Sequence, residues 1–397
     1  MASPLVTRMS GFGTSVFTEM TQRSTAFGAV NLGQGFPDSD TPEAIKAVAV
    51  AAINSGVNQY PPARGMPILR EAISAHQRRF YGLHPDPETE VLVTVGATEA
   101  LATAILALVE PGQEVLTFDP TYDAYPAAIA LAGATHTSVA LSFPGNTFDP
   151  HELAAAITPR TRMIIVNNPH NPTGKVFTGI ELEQIAAVAR DHDLIVASDE
   201  VYEHLVFDGL SHTPIASLPG MAQRTLTISS GGKTFAATGW KVGWVHGSAE
   251  LIAAIAAVKQ FVTFAGSAAF QPAIAHGLAL PDVFFDNLAS SLQRRRDLIV
   301  DALTGLDLAV ASTQGTYFVV ADVSSLGVED ATQWCRDLPA AAGVAAIPVA
   351  AFCGDRTEAP TLVRFAFCKD EAVLTEGVRR LTTFVESGRS TPAGSAQ

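Results

Sequence analysis

The sequence predicts an α/β protein: a mostly parallel sheet covered on both faces, followed by a smaller α+β domain. Three observations carry this. Between about residue 90 and 245, short β-rich runs alternate with helical patterns, the order that builds parallel strands joined by crossover helices. After about residue 285 the alternation gives way to one long helical stretch and a few strands. Finally, polar residues gather where the predicted parallel strands end, and that edge of an open α/β sheet is where ligands bind.

The elements follow in order. Residues 1–45 lack the alternation and are expected to pack with the smaller domain. Residues 46–284 form the large domain. Its strand candidates are "EVLVTV", "EVLTF", "RMIIVNN", "LIVASDE", "TLTISS" and "VGWVHG"; its helices include "TEALATAILALVE", "ELAAAI" and "GIELEQIAAVARDHD". Residues 285–387 form the smaller domain: the helix "DNLASSLQRRRDLIVDALTG", the strand "GTYFVVADV", a further helix, "GVAAIPVAAF", "LVRFAFC" and a final helix ending near Ser387. The small, polar tail 388–397 is expected to be disordered.

Composition narrows the function. The 397-residue chain is 47% hydrophobic and 16% charged, with a formal net charge of −14, so it is globular and ill suited to phosphate backbones. Its one basic run, Arg294–Arg296, lies in a helical pattern and reads as a solvated or interface face. Cys335, Cys353 and Cys368 show no CxxC spacing. They imply neither a disulfide framework nor a zinc site, and no metal is expected. No signal peptide or membrane span is evident, so the expected compartment is cytoplasmic.

The motifs sit at the predicted strand ends. Gly96-Ala97-Thr98 opens a helix directly after a strand, where free N–H groups and the helix dipole favour an anion. "GGKT" lacks the earlier glycine of a phosphate-binding P-loop, since Thr227 stands there, and no GxGxxG occurs. Asp199 ends an apolar strand, where a carboxylate is costly unless a cation or strong donor meets it. Lys233 and Lys241 are two of only six lysines, set among Gly, Ala, Phe and Trp. An imine with an aldehyde would relieve the cost of burying Lys233, and Lys241 could stay charged beside a phosphate. One cofactor carries an aldehyde, a ring nitrogen and a phosphate together: pyridoxal 5′-phosphate.

Eight stretches, in order along the chain, then resemble the fold-type I pyridoxal-phosphate aminotransferases of class I/II: "NLGQGFPD", "NQYPPARGMPILREAI", "VTVGATEAL", "DPTYDAY", "NNPHNPTGKVF", "SDEVYEHLVFDG", "SSGGKTFAATGWKVGW" and "VRFAFCKD". The resemblance implies a seven-stranded, mostly parallel sheet in the large domain and a homodimer with shared active sites. It implies that Lys233 links covalently to the cofactor aldehyde, that Asp199 pairs with the ring nitrogen, and that Tyr202 and Asn171 bond its phenolic oxygen. Tyr122 would stack on one ring face and Val201 pack on the other. Ala97, Thr98, Ser230 and Lys241 would hold the phosphate, and Tyr60 would reach the phosphate in the neighbouring subunit. Arg364 would clamp the substrate carboxylate, helped by Asn171 and the Gly35 backbone. Lys241 stands where many relatives have arginine, and Tyr122 where many have Phe. The implied substrates are an amino acid and a 2-oxo acid. Within the group the chain is similar to actinobacterial N-succinyldiaminopimelate aminotransferases of lysine biosynthesis; kynurenine, methionine or glutamine transamination, or C–S β-lyase chemistry, are the alternatives. Tyr125 and Asp123 could brace the site. His170 reads as a turn residue, and Trp240 and Trp244 as packing for the lysine segment.

Overall fold

The computed structural model describes residues 5–13, 15–355 and 357–389; the expected disordered tail lies outside them from residue 390 onward. Helix α1 (Val16–Phe27) starts at Ser15, whose hydroxyl accepts from the Phe17 N–H, and stops at Gly28 in the left-handed conformation. Strand β1 (Val30–Asn31), α2 (Glu43–Asn54), α3 (Pro67–Tyr81), β2 (Val91–Thr94) and α4 (Gly96–Leu108) follow. Then come β3 (Glu114–Asp119), β4 (Thr135–Ala140), β5 (Thr161–Asn167), β6 (Ile195–Asp199), β7 (Thr225–Ser230) and β8 (Gly243–His246).

Strands β2 to β8 make a seven-stranded sheet in the order β2-β8-β7-β6-β5-β3-β4. Only β8 runs against its neighbours β2 and β7; the remaining pairs are parallel. Successive side chains leave a strand on opposite faces, and β5 shows this directly. Met163 and Ile165 join Leu226, Ile228 and the α4 residue Ile105 on one face. Ile164 and Val166 join Phe118, Leu182 and Ile185 on the other. With both faces covered, β2, β3, β6, β7 and β8 are buried at every position.

The C-terminal part carries β9 (Ala309–Val310), β10 (Phe318–Asp322), β11 (Val344–Ala345), β12 (Ile347–Pro348) and β13 (Leu362–Ala366). Four of them form an antiparallel sheet, β12-β13-β10-β9, while β11 pairs in parallel with β1. The stretch 343–352 thus holds the two short strands β11 and β12 and a 3-10 turn, Val349–Phe352. The chain's beginning joins this core: Met20 of α1 and Leu32 pack with Phe365, Leu374 and Leu381, and Arg336 Nε donates to Glu19 Oε1 at 2.8 Å.

One long helix, Asp282–Gly305, runs through the boundary expected at residue 285. Phe285 packs with Leu69 and Ile73 against the large sheet, whereas Leu292, Ile299 and Leu303 belong to the C-terminal core. The final helix runs through Arg389, two residues past its expected end. The basic run on the long helix is divided. Arg294 is exposed, but Arg296 is buried within the chain, where a solvated or interface face was expected. Its Nη1 and Nη2 donate to the two Asp208 oxygens at 2.6 Å each, and Nη1 also reaches the Thr313 carbonyl at 2.7 Å. The fork geometry of arginine repays burial that a lone charge could not.

Candidate active site

Strands β2, β3, β5, β6 and β7 deliver their C-terminal ends to one edge of the sheet, and antiparallel β8 begins there. A cavity of about 330 Å³ opens at that edge, within the usual size of small-molecule sites. The cavity is lined by Gly35, Ala97, Thr98, Tyr122, Asn171, Asp199, Val201, Tyr202, Ser230, Lys233, Lys241 and Arg364. Of the residues that the resemblance assigns to cofactor or substrate, Tyr60 alone stands outside this lining: it is 83% exposed and meets Phe264 edge-on at 5.5 Å.

The floor is an anion cradle. Val95 provides no side-chain cap to α4, which leaves the first N–H groups of the helix available to a ligand. Gly96 takes φ 74°, and a Cβ built on it would lie 3.0 Å from Lys241 Nζ. Lys241 reaches this point from a left-handed residue (φ 53°) just ahead of β8. Gly243 is forced by the same closeness: its Cβ would sit 2.5 Å from the Gly96 carbonyl carbon and 2.7 Å from the Ala97 nitrogen. The start of α4, Thr98, Ser230 and Lys241 therefore line one cavity, a donor set that suits an anion.

Above it stand an acid and an amine. Asp199, on the end of β6, is buried at 7% exposure. Tyr125 donates its hydroxyl to Asp199 Oδ2 at 2.6 Å, and the Val201 N–H donates to Oδ1 at 3.3 Å. Burial still lifts its pKa above the ordinary carboxylate value, although Tyr125, Val201 and the charge of Lys233 pull it down. Lys233, in the short helical turn after β7, has one side-chain hydrogen bond among the described residues, to the Gly35 carbonyl at 3.3 Å. Burial lowers its pKa to about 8. Both groups thus lack a full counterpart: the carboxylate would be relieved by a cationic ring nitrogen, the amine by condensation with an aldehyde. Tyr202, whose phenol burial holds protonated, packs edge-on to Tyr317 at 5.3 Å between ring centroids. This donor set, with the anion cradle below it, fits pyridoxal phosphate.

Arg364 of β13 closes the far wall. Its Nη1 donates to Asn171 Oδ1 at 2.9 Å and its Nη2 to the Gly33 carbonyl at 2.8 Å. The guanidinium carbon lies 4.0 Å from the Phe318 ring centroid, 4.7 Å from Phe352 and 5.2 Å from Phe17, within cation–π reach. Arg364 Nε is buried without a partner among the described residues.

Asn167, Phe17 and Phe318 are not singled out by the sequence. Asn167 Nδ2 donates to the Asp199 carbonyl at 2.9 Å, and its Oδ1 accepts from the Asn171 N–H at 2.7 Å. Its place as the last residue of β5 is the signal that could have found it. Nothing in the spacing of Phe17 marks it, because it arrives from α1. Tyr125 touches Asp199 directly, whereas Asp123 accepts from the Ser15 hydroxyl at 3.4 Å. His170 stays in its turn, with Nδ1 2.9 Å from Thr173 Oγ1. Trp244 is buried in the core under the lysine segment, and Trp240 stacks on Phe270 at 4.6 Å. A separate buried cluster lies outside the cavity lining, where His76 and His204 bring their Nε2 atoms within 2.7 Å.

Comparison with known proteins agrees with this geometry. The aminotransferase class I and II family profile matches residues 28–381. The chain is 50% identical to the "Probable N-succinyldiaminopimelate aminotransferase DapC" of Mycobacterium tuberculosis, over 96% of this chain and 98% of that one. It is 38% identical to the methionine aminotransferase of Escherichia coli, again over 96% and 98%. The solved structure of the Mycobacterium tuberculosis N-succinyldiaminopimelate aminotransferase superimposes with a TM-score of 0.93 at 51% identity, covering 96% of this chain and all of that one.

Proposed function

We propose that this chain, which belongs to the aminotransferase class I and II family and is pyridoxal-phosphate dependent, transfers an amino group from N-succinyl-LL-2,6-diaminopimelate to 2-oxoglutarate. The observation that carries the chemistry is the convergence of Lys233, Asp199 and Arg364 on one cavity. The substrate rests on the 50% identity to a named N-succinyldiaminopimelate aminotransferase, spread over 96% of the chain.

Each residue has a task in this reading. Ala97, Thr98, Ser230 and Lys241 hold the cofactor phosphate. Asp199 faces the ring nitrogen, steadied by Tyr125 and Asn167. Asn171 and Tyr202 bond the phenolic oxygen, with Tyr122 and Val201 on the two ring faces. Arg364 forks onto the substrate α-carboxylate, helped by Asn171 and the Gly35 backbone. The bound cofactor supplies an electron sink for the charge left on the substrate α-carbon. Lys233 takes the proton from that carbon and returns it as general base and acid; a pKa of about 8 leaves a useful share of neutral amine near neutral pH.

The reading includes a homodimer in which the partner subunit's Tyr60 completes the phosphate site. Tyr60, Phe261, Val262 and Phe264 are 83%, 86%, 54% and 46% exposed, more apolar surface than a lone chain usually leaves in one neighbourhood. It also places the enzyme in the cytoplasm, where a reducing environment suits three free cysteines. Residues 1–45 and 285–387 are taken as one small domain and residues 46–284 as the large one.

The test is a donor panel: N-succinyldiaminopimelate, glutamate, kynurenine, methionine and glutamine, each with 2-oxoglutarate. The succinylated donor should show the highest kcat/KM. A far higher value for kynurenine or methionine would replace the substrate, and pyruvate release from a cysteine conjugate without an acceptor would favour β-lyase chemistry. Lys233→Ala should abolish turnover and the visible absorbance of the holoenzyme; retention of both would refute the lysine's role.

A further inference from the structure

The succinylated donor poses a recognition problem that the cavity alone does not solve. Beyond its reacting end it carries an amide and two more carboxylates. The cations lining the cavity, among the described residues, are Lys233, Lys241 and Arg364, and each already has a task. Arg23 does not line the cavity; it donates from Nη1 to the Arg336 carbonyl at 3.0 Å and pairs with Glu19 at 3.5 Å. The succinyl carboxylate lies nine bonds from the reacting carbon, about 10 Å at the extension of a peptide-like chain, so its partners stand well away from the reacting centre.

A second hollow of about 510 Å³ adjoins the cavity, with Phe17 and Gln34 in both linings. It is otherwise lined mainly by Thr18, Thr21, Gln22 and Thr25 of α1. These four are spaced three and four residues apart and so share one helix face. No charged side chain lines this hollow among the described residues. The Thr21 hydroxyl donates to the Phe17 carbonyl at 2.6 Å, and the Thr25 hydroxyl to the Thr21 carbonyl at 3.0 Å. Gln34 Nε2 donates to Thr21 Oγ1, which holds the amide at the junction of the two spaces. The Thr18 hydroxyl and the Gln22 amide have no hydrogen-bond partner among the described residues and are exposed. Phe17 forms the threshold, its ring 5.2 Å from the Arg364 guanidinium carbon.

We infer that this α1 hollow is the acyl subsite, and that the succinyl arm is recognised there by neutral donors, Thr18 and Gln22, with Gln34 at the junction, and not by a second cation. The inference rests on the substrate reading above. Neutral donors suit the position: a carboxylate there gains hydrogen bonds without competing with Arg364 for the α-carboxylate.

The experiment compares two donors, N-succinyl-LL-diaminopimelate and unacylated LL-diaminopimelate, through the ratio of their kcat/KM values. In Thr18→Val/Gln22→Leu that ratio should fall about 10-fold or more, through a higher KM for the succinylated donor with its kcat held within about 2-fold. A single variant, Gln22→Lys, should lower the same KM several-fold at low salt by adding a cation where the arm ends; it keeps the test open if the double variant does not fold. An unchanged ratio in the double variant, or an unchanged KM in Gln22→Lys, would overturn the subsite while leaving the substrate intact. Wild-type enzyme that ignores the succinylated donor altogether would overturn the substrate reading, and the subsite with it.

Discussion

Lys233 is the residue on which the proposed chemistry turns, and its amine should be measurably unusual before any cofactor arrives. With a pKa of about 8 against an ordinary 10.5, it should capture an aldehyde in the cofactor-free protein with a rate that rises through a midpoint near pH 8. The sign for stability follows. The native state gives up this proton near pH 8, the unfolded chain only near 10.5, so burial of the cation is a full penalty below 8 that fades as pH climbs through that window. Cofactor-free Lys233→Met should therefore be more stable than wild type by about 1–3 kcal/mol at pH 7, the gap shrinking by half or more at pH 9.5. Urea unfolding at both values measures it; a gap that grew with pH would contradict the burial. The lysine and the aspartate could be read from the sequence because each breaks a local rule, a charge set among small or apolar neighbours. Phe17, Phe318 and Phe352, which cage Arg364, break none. A phenylalanine in a core and one beside a guanidinium look alike until the chain is folded.

At the level of elements, the sheet was legible wherever burial on both faces makes a strand an unbroken apolar run. It was not at β4, "THTSVA", where only Val139 of the six residues is buried: an edge strand open to water needs no apolar run. The 3-10 turn at Val349–Phe352 was hidden for the opposite reason, since Ala-rich buried backbone carries no period. β8 and the start of α4 meet backbone to backbone at Gly243. A methyl group added at Gly243 would meet the Gly96 and Ala97 backbone at 2.5 and 2.7 Å, and backbone cannot swing aside as a side chain can. Overpacking of this kind costs about 1–3 kcal/mol. Gly243→Ala should weaken pyridoxal phosphate binding by about 10-fold or more, with the loss seen in a cofactor titration of the folded apoprotein. Wild-type affinity in that variant would mean that the cradle is not the phosphate site.

For the whole molecule, the exposed ring of Phe261 at 86% is the sharpest handle on assembly. Phe261→Asp should convert a dimer to the 41.6 kDa chain in analytical ultracentrifugation, and turnover should fall with the partner. A fully active monomer would end the shared-site reading. The C-terminal architecture was legible only in part. Its long helix and central strands show in the pattern, but the parallel pairing of β1 with β11 joins residues more than three hundred positions apart, which no local period reports.

That pairing ties the chain's beginning to the same hydrophobic body that bears Arg364, while Gly96, Asp199 and Lys233 stand at the strand ends of the seven-stranded sheet. In the proposed reading, bond-making machinery and the parts that choose the guest are thus housed separately. A lineage could trade one donor for another by editing the first thirty-odd residues and the strand bearing the arginine, leaving the reacting apparatus unaltered.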